Sequence, residues 1–206
     1  VLAVLGPATE FPIKIGRDIA EAIDDSIDWT TTNGAWLLEP TSDGVLRFLL
    51  LIKDFFEWIP WPIFIVAVVL ASYKTAGRGI AIFAVFSLTM MGALDLWESA
   101  METMALIVVA VILSISIAVP VGILAARSNL VDMVLRPILD GMQTMPSFVY
   151  LVPAVMFFGI GDVPAIFATI IYAVPPAIRL TNLGIRQVSS EIVEAAMSFG
   201  TTPRQL

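Results

Sequence analysis

The sequence predicts an all-α polytopic membrane helical bundle. Three observations predict it: 58% of the 206 residues are hydrophobic against 14% charged, the mean hydropathy is +0.92, and the apolar residues collect into a long series of segments before a polar, turn-rich close. A soluble domain of this size would have to hide more apolar surface than one core can bury. Composition also excludes whole classes of chemistry. With no cysteine and no histidine, disulfides, iron–sulfur ligation, thiol chemistry, imidazole zinc sites and histidine bases are all removed. Carboxylates alone could ligate a metal, and none recur at the spacing of a calcium loop, so no metal site is expected. The formal net charge of -7 argues against a nucleic-acid partner, which demands a basic patch.

Residues 1–57 read as an acidic extracytoplasmic tail followed by an amphipathic interfacial helix. Six acidic residues and no basic one fall between Glu21 and Asp43. Residues 1–45 are expected to be irregular or partly helical, punctuated by Pro7, Pro12, Gly34, Pro40 and Gly44. Within them "DIAEAIDDSIDWTTTNG" fits one helix with Ile19, Ala22, Ile23 and Ile27 on one side. "VLRFLLLIKDFFEW" then gathers Arg47, Lys53, Asp54 and Glu57 on one arc, as in a helix lying in the interface with Trp58 and Trp61 at headgroup level. It reads equally as the wet lead-in to a spanning helix.

Residues 58–206 hold the membrane part. Five crossings are expected, over 58–73, 79–97, 103–126, 145–160 and 163–179. A hydrocarbon core of roughly 30 Å takes about 20 residues at about 1.5 Å each, so the third alone is comfortably long and the others need tilt or broken geometry. Charge gives the orientation. Lys74 and Arg78 fall between the first two spans, Arg127 and Arg136 between the third and fourth, and Arg179, Arg186 and Arg204 after the fifth. The alternate loops carry Asp95, Glu98, Glu102 and Asp162 instead. Basic residues favour the cytoplasmic side, which predicts the tail outside and the closing stretch inside. Pro120, Pro153 and Pro175-Pro176 offer bends, Ser114 and Ser116 are candidate interhelical hydrogen-bonders, and no charge sits deep in a span, which disfavours a proton-coupled carrier. In "RSNLVD", Asn129 is the expected cap of a surface helix over 130–140 ending at Gly141.

The close, "SSEIVEAAMSFGTTPRQL", has the punctuation of a small helix. Ser190 is its expected N-cap and Glu191 supplies a carboxylate to the first turn. Ile192, Ala195, Ala196 and Phe199 form an apolar face, and Gly200 suits the left-handed position beyond the end. Thr202, Pro203 and Gln205 start a second helix. Arg204 alone is basic there, which disfavours DNA; a protein-docking knob and a hairpin packed on its own bundle both remain open.

"EAAMSFG", Glu194 to Gly200, is similar to the EAA signature of ABC-transporter permease subunits. "ILDGMQTMPSFVYLVPAVMFFGIG", Ile138 to Gly161, and "VPPAIRLTNLGIRQV", Val174 to Val188, resemble the glycine betaine/proline betaine permeases of the ProW type. The resemblance covers residues 58–206 and implies a type I ABC importer permease in the cell inner membrane. In that family the signature loop docks into the ATP-binding subunit, which carries over to Glu194, Ala195, Ala196 and Gly200, with Glu191 and Phe199 on the same docking helix. The signature normally continues with an isoleucine and a Leu-Pro pair, so a partial transmembrane domain is implied. Partners implied are the ATP-binding subunit, which would hold the ATP, an extracytoplasmic osmolyte-binding protein, a second permease copy and the lipid bilayer. This chain would bind no cofactor and catalyse nothing, in keeping with the absence of a Walker-type loop.

The implied cargo is an osmoprotectant of the betaine class, under the headings of osmoprotection and amino-acid transport, with choline, carnitine or another compatible solute as alternatives inside the family. A quaternary ammonium has no N–H to donate, so cation–π contacts would select it. Gln143, Thr144, Met145, Pro146, Phe148 and Tyr150 are the expected path residues, with Gln143, Thr144 and Tyr150 as gate candidates and Phe157 and Tyr172 as further rings. Ordinary packing or an aromatic belt accounts for each ring as well. A secondary carrier or channel and a membrane scaffold or sensor are the two rival classes.

Overall fold

A computed structural model gives the fold over residues 15–202, with side chains described from Glu21 onward. The described elements are α1 (Ile15–Trp58), α2 (Trp61–Ala76), α3 (Arg78–Ala93), α4 (Trp97–Arg127), α5 (Asn129–Thr144), α6 (Phe148–Phe158), α7 (Asp162–Arg186) and α8 (Ser190–Ser198). The all-α polytopic bundle is observed. The second closing helix, from Pro203 onward, and the side chain of Ile19 lie outside the described residues.

The largest departure from expectation is α1. Instead of two short helices in an irregular tail, residues 15–58 form one helix that continues through Pro40. Its polar residues bond back to their own helix: Ser26 to the Ala22 carbonyl at 2.6 Å, Thr30 to Ser26 at 2.7 Å, Asn33 to Trp29 at 2.9 Å and Thr41 to Leu37 at 2.6 Å. Packing anchors the other end. Leu49 is buried against α4 and α7 with Val45, Phe48, Ile52 and Phe56 around it, and Lys53 pairs with Glu102 at the start of α4. Beside the local breakers the helix is half-buried at Thr31, Ala35, Leu38 and Ser42, which line a groove with Phe157 and Phe158 of α6. Ala22 and Ile23 of the expected apolar underside are exposed, as are Trp58 and Trp61 at the 90° bend into α2.

α2 and α3 form a hairpin turned at Gly77, whose φ of 85° is a left-handed conformation open to glycine. They pack mainly on each other and leave Ile63, Val66, Leu70, Ile82, Phe83 and Phe86 exposed. α3 stops at Ala93, short of the expected 97, because residues 94–96 turn through Asp95 at φ 60°.

The centre of the molecule is α4 against α7. Ala105, Val109 and Ala110 meet Ile166 and Ile170, and farther along Ala118 meets Ile178 and Leu139. Both helices therefore run in the same direction, and α5–α6 provides the return between them. Ala110, Ser114, Ala118 and Gly122 recur every fourth residue of α4, all buried, a small-residue seam that lets backbones approach where lipid offers no hydrophobic drive. Ser114 Oγ has no partner among the described residues, and Ser116 Oγ donates to the Ile112 carbonyl at 2.7 Å, so neither makes the expected interhelical bond. α7 continues through Pro175 and Pro176 to Arg186 rather than ending at Arg179.

Two of the five expected crossings, α4 and α7, are single helices long and apolar enough to span. α1–α2 and α5–α6 qualify only as bent pairs, the second bent by 96°, and α3 is too short to qualify. In α5 the N-cap is Ser128, not Asn129: its Oγ accepts from the Val131 N–H at 3.4 Å. The helix passes Gly141 to Thr144, then Met145 is extended, as Pro146 requires of the residue before it.

Candidate functional site

α8 begins one residue before expectation: Ser190 is its first residue and Ser189 its N-cap, with the Ser189 carbonyl accepting from the N–H of Ile192 at 3.1 Å. Its end follows the sequence closely. The Gly200 N–H donates to the Met197 carbonyl at 2.9 Å, the Thr201 N–H donates to Ala196 at 3.2 Å, and Gly200 has φ 82°. These paired bonds make a Schellman cap. No residue of α8 is buried. Glu191, Glu194, Ala195 and Gly200 are exposed, Ala196 is half-buried, and Phe199 is 92% exposed. The apolar face predicted for this helix is not covered by its own bundle.

Just before α8 in the chain, at the end of α7, lies a polar network whose residues the sequence marked only as caps and charges. Asp132, with a side chain 11% exposed, accepts from Arg136 at 2.7 Å and from Asn182 Nδ2 at 2.8 Å, with Arg186 at 3.8 Å. Arg186 Nε donates to Asn182 Oδ1 at 2.8 Å, Nη1 to Asn129 Oδ1 at 2.9 Å and Nη2 to the Ala125 carbonyl at 2.8 Å. Arg179 pairs with Asp140. A cavity of about 390 Å³ lies among these groups. The legible signal was the Asp132/Arg136 pair four residues apart; the partners on α7 carried none.

The expected path residues divide by location. Gln143, Thr144, Met145 and Pro146 are exposed around the α5–α6 break. Thr144 Oγ1 bonds to the Gly141 carbonyl at 2.9 Å, and the Tyr150 hydroxyl crosses the break to the Met142 carbonyl. Phe148 and Tyr172 come together on an apolar groove of about 440 Å³ between α6 and α7, with Ser147 and Thr169. Phe157 lies elsewhere, in a groove of about 320 Å³ beside Glu39 and Asp43 of α1. We expect Tyr150→Phe to lower the unfolding midpoint of the full-length permease in detergent by an amount equivalent to about 1 kcal/mol, with helix content unchanged. An unaltered midpoint would remove that hydroxyl from the stabilisation of the bend.

Among the described residues no group of three or more carboxylates is placed to hold a metal ion. Residues 118–206, from the second half of α4 through α8, match the family described as binding-protein-dependent transport system inner membrane component. The glycine betaine/carnitine transport permease GbuB of Listeria monocytogenes is 47% identical over 163 residues, covering 75% of this chain and 57% of that protein. The chain belongs to the ABC-transporter permease family. Within that permease family it is also similar to the glycine betaine/proline betaine permease ProW of Escherichia coli, 42% identical over 188 residues, 89% of this chain and 52% of that protein. The glycine betaine permease OpuAB of Bacillus subtilis is 38% identical over 187 residues, 91% of this chain and 66% of that protein. The chain thus spans between about half and two thirds of the length of these permeases.

Proposed function

We propose that this chain is the translocating part of an ATP-driven importer for glycine betaine and proline betaine. The similarity to three permeases named for betaine transport carries the reading of the cargo. The exposed apolar face of a capped α8 supports docking of an ATP-binding subunit through Glu191, Glu194, Ala195, Ala196, Phe199 and Gly200. The division at residue 57, with an acidic outer segment preceding the membrane part, belongs to the same reading. So does its orientation, with α8 in the cytoplasm and the start of α4 outside.

In the mechanism, an external binding protein delivers the osmolyte, and two permease copies form the passage. ATP is bound and hydrolysed on the partner subunits, whose closure pushes on α8. This chain binds no cofactor. Its own residues supply the passage and the coupling. A betaine presents a cation without N–H donors and a carboxylate; the ring faces of Phe148 and Tyr172 suit the first, and Gln143 and Thr144 suit the second. Carnitine carries the same two groups, and the Listeria relative, named for glycine betaine and carnitine transport, keeps it as the second reading.

The test is uptake of labelled glycine betaine into vesicles holding the full-length permease, its ATPase and its binding protein. ATP-dependent uptake that carnitine suppresses less than proline betaine supports the reading. An assembled, hydrolysing complex that moves carnitine or choline but not betaine overturns the cargo. Separate Gln143→Ala and Thr144→Ala replacements are expected to change uptake kinetics by at least threefold, and unchanged kinetics in both removes them from the path.

A further inference from the structure

Arg186 ends α7, and its guanidinium directs each of its nitrogens to a different target. Nε holds Asn182 of its own helix, Nη1 holds Asn129 at the first position of α5, and Nη2 holds the Ala125 carbonyl in the last turn of α4. That carbonyl lies at the negative end of the α4 dipole, where unpaired oxygens attract a cation. Asp132, 3.8 Å away, is itself tied to Asn182 and Arg136. One side chain thus joins the end of α4, the start of α5 and the end of α7. Residues 187–189 connect this point to α8, none of whose residues is buried. The far end of α5 carries the break with Gln143 and Thr144, and the Tyr150 hydroxyl of α6 bonds to Met142 there.

We propose that Arg186 is the positioning residue that couples α8 to α5: movement imposed on α8 reaches α5, and through it the α5–α6 break, by way of this guanidinium. The proposal rests on the docking reading of α8. Lysine would keep the charge and lose the planar fork that holds several acceptors at once.

The experiment uses full-length permease in complex with its ATPase and binding protein. Spin labels are placed on introduced cysteines at Met133 of α5 and Met197 of α8, both exposed. This stretch has no cysteine of its own; any elsewhere in the protein are removed. The unaltered complex is expected to give a narrow distance distribution that shifts with nucleotide. Arg186→Ala and Arg186→Lys are expected to widen it at least twofold, and to lower the osmolyte moved per ATP hydrolysed at least fivefold while ATPase binding stays within twofold. A structural defect alone would lower assembly and hydrolysis together. Where the alanine variant fails to assemble, the lysine variant decides. An unchanged width and shift overturns the proposal. Absence of any uptake in the unaltered complex would overturn the transport reading instead, and the distance width would still decide the role of Arg186.

Discussion

Replacing Gly122 with leucine is expected to drive α4 and α7 apart and to produce the largest loss of stability of any single change in the bundle. A Cβ at this position would lie 2.5 Å from Thr181 Cβ, 2.8 Å from its Cγ2 and 3.0 Å from the Ile178 carbonyl oxygen. The Thr181 Cβ is fixed to the α7 backbone, so no rotamer change relieves the contact. Even alanine forces the helices to separate. Overpacking of this kind costs about 1–3 kcal/mol, with more expected for the larger side chain. The loss would fall on the central helix pair, since buried residues of α1 and α5 also pack against it. The measurement is the thermal unfolding midpoint of the full-length permease in detergent, with Gly184→Ala as control. Gly184 is in the last turn of α7, and a Cβ there meets nothing within 4 Å. Alanine at 184 should be neutral or stabilising by about 0.5–1 kcal/mol through the loss of glycine's unfolded freedom. If Gly122→Ala and Gly184→Ala leave the same midpoint, the close approach of α4 and α7 is not a source of stability.

The second large effect is expected at α8. Phe199 is 92% exposed in the isolated chain, and an aromatic ring buried at the centre of a docked interface contributes about 2–4 kcal/mol by truncation. Phe199→Ala should therefore weaken ATPase binding by roughly 30- to 1000-fold, at about 1.4 kcal/mol per factor of ten. Gly200→Val tests the same interface through the backbone. Its Cβ would meet no atom within 4 Å, so steric clash is not the cause; the φ of 82° is, because a β-branched residue resists the left-handed region. The strain of about 1–3 kcal/mol would open the Schellman cap and let the last turn of α8 fray. A titration of the ATPase subunit onto full-length permease in nanodiscs reads both. Binding of Phe199→Ala within twofold of the unaltered protein would show that this face is not where the ATPase docks.

Features governed by local physics were legible in the sequence, and those governed by distant partners were not. The cap of α8 was legible because a left-handed glycine directly after a helical apolar stripe is a local requirement. α1 was not, since Pro40, Gly34 and Gly44 all argue locally for breaks, whereas its partners are distant in sequence: Ala35, Leu38 and Ser42 lie beside Phe157 and Phe158, and Leu49 is buried on α4 and α7. The four-residue spacing of Ala110, Ser114, Ala118 and Gly122 was present in the sequence, but its meaning depends on which helix lies opposite. Of the rings expected along a path, Phe148 and Tyr172 share a groove, whereas Phe157 faces α1, a division that depends on how α6 seats between its neighbours.

Membrane class, helical architecture and family relationship follow from the sequence by itself, because the apolar content, the segment pattern and the motifs from Ile138 to Gly200 each act within one stretch of chain. The parallel run of α4 and α7, the seating of α1 across their starts and the convergence of Arg186 on Ala125, Asn129 and Asn182 were decided by the tertiary structure. The first two rest on apolar faces meeting across the chain, as Leu49 meets Ile166 and Ile170, and the last on residues 57 and 61 positions apart meeting at hydrogen-bond distance. No periodicity along one helix encodes which partner its buried face or its terminal carbonyls will find.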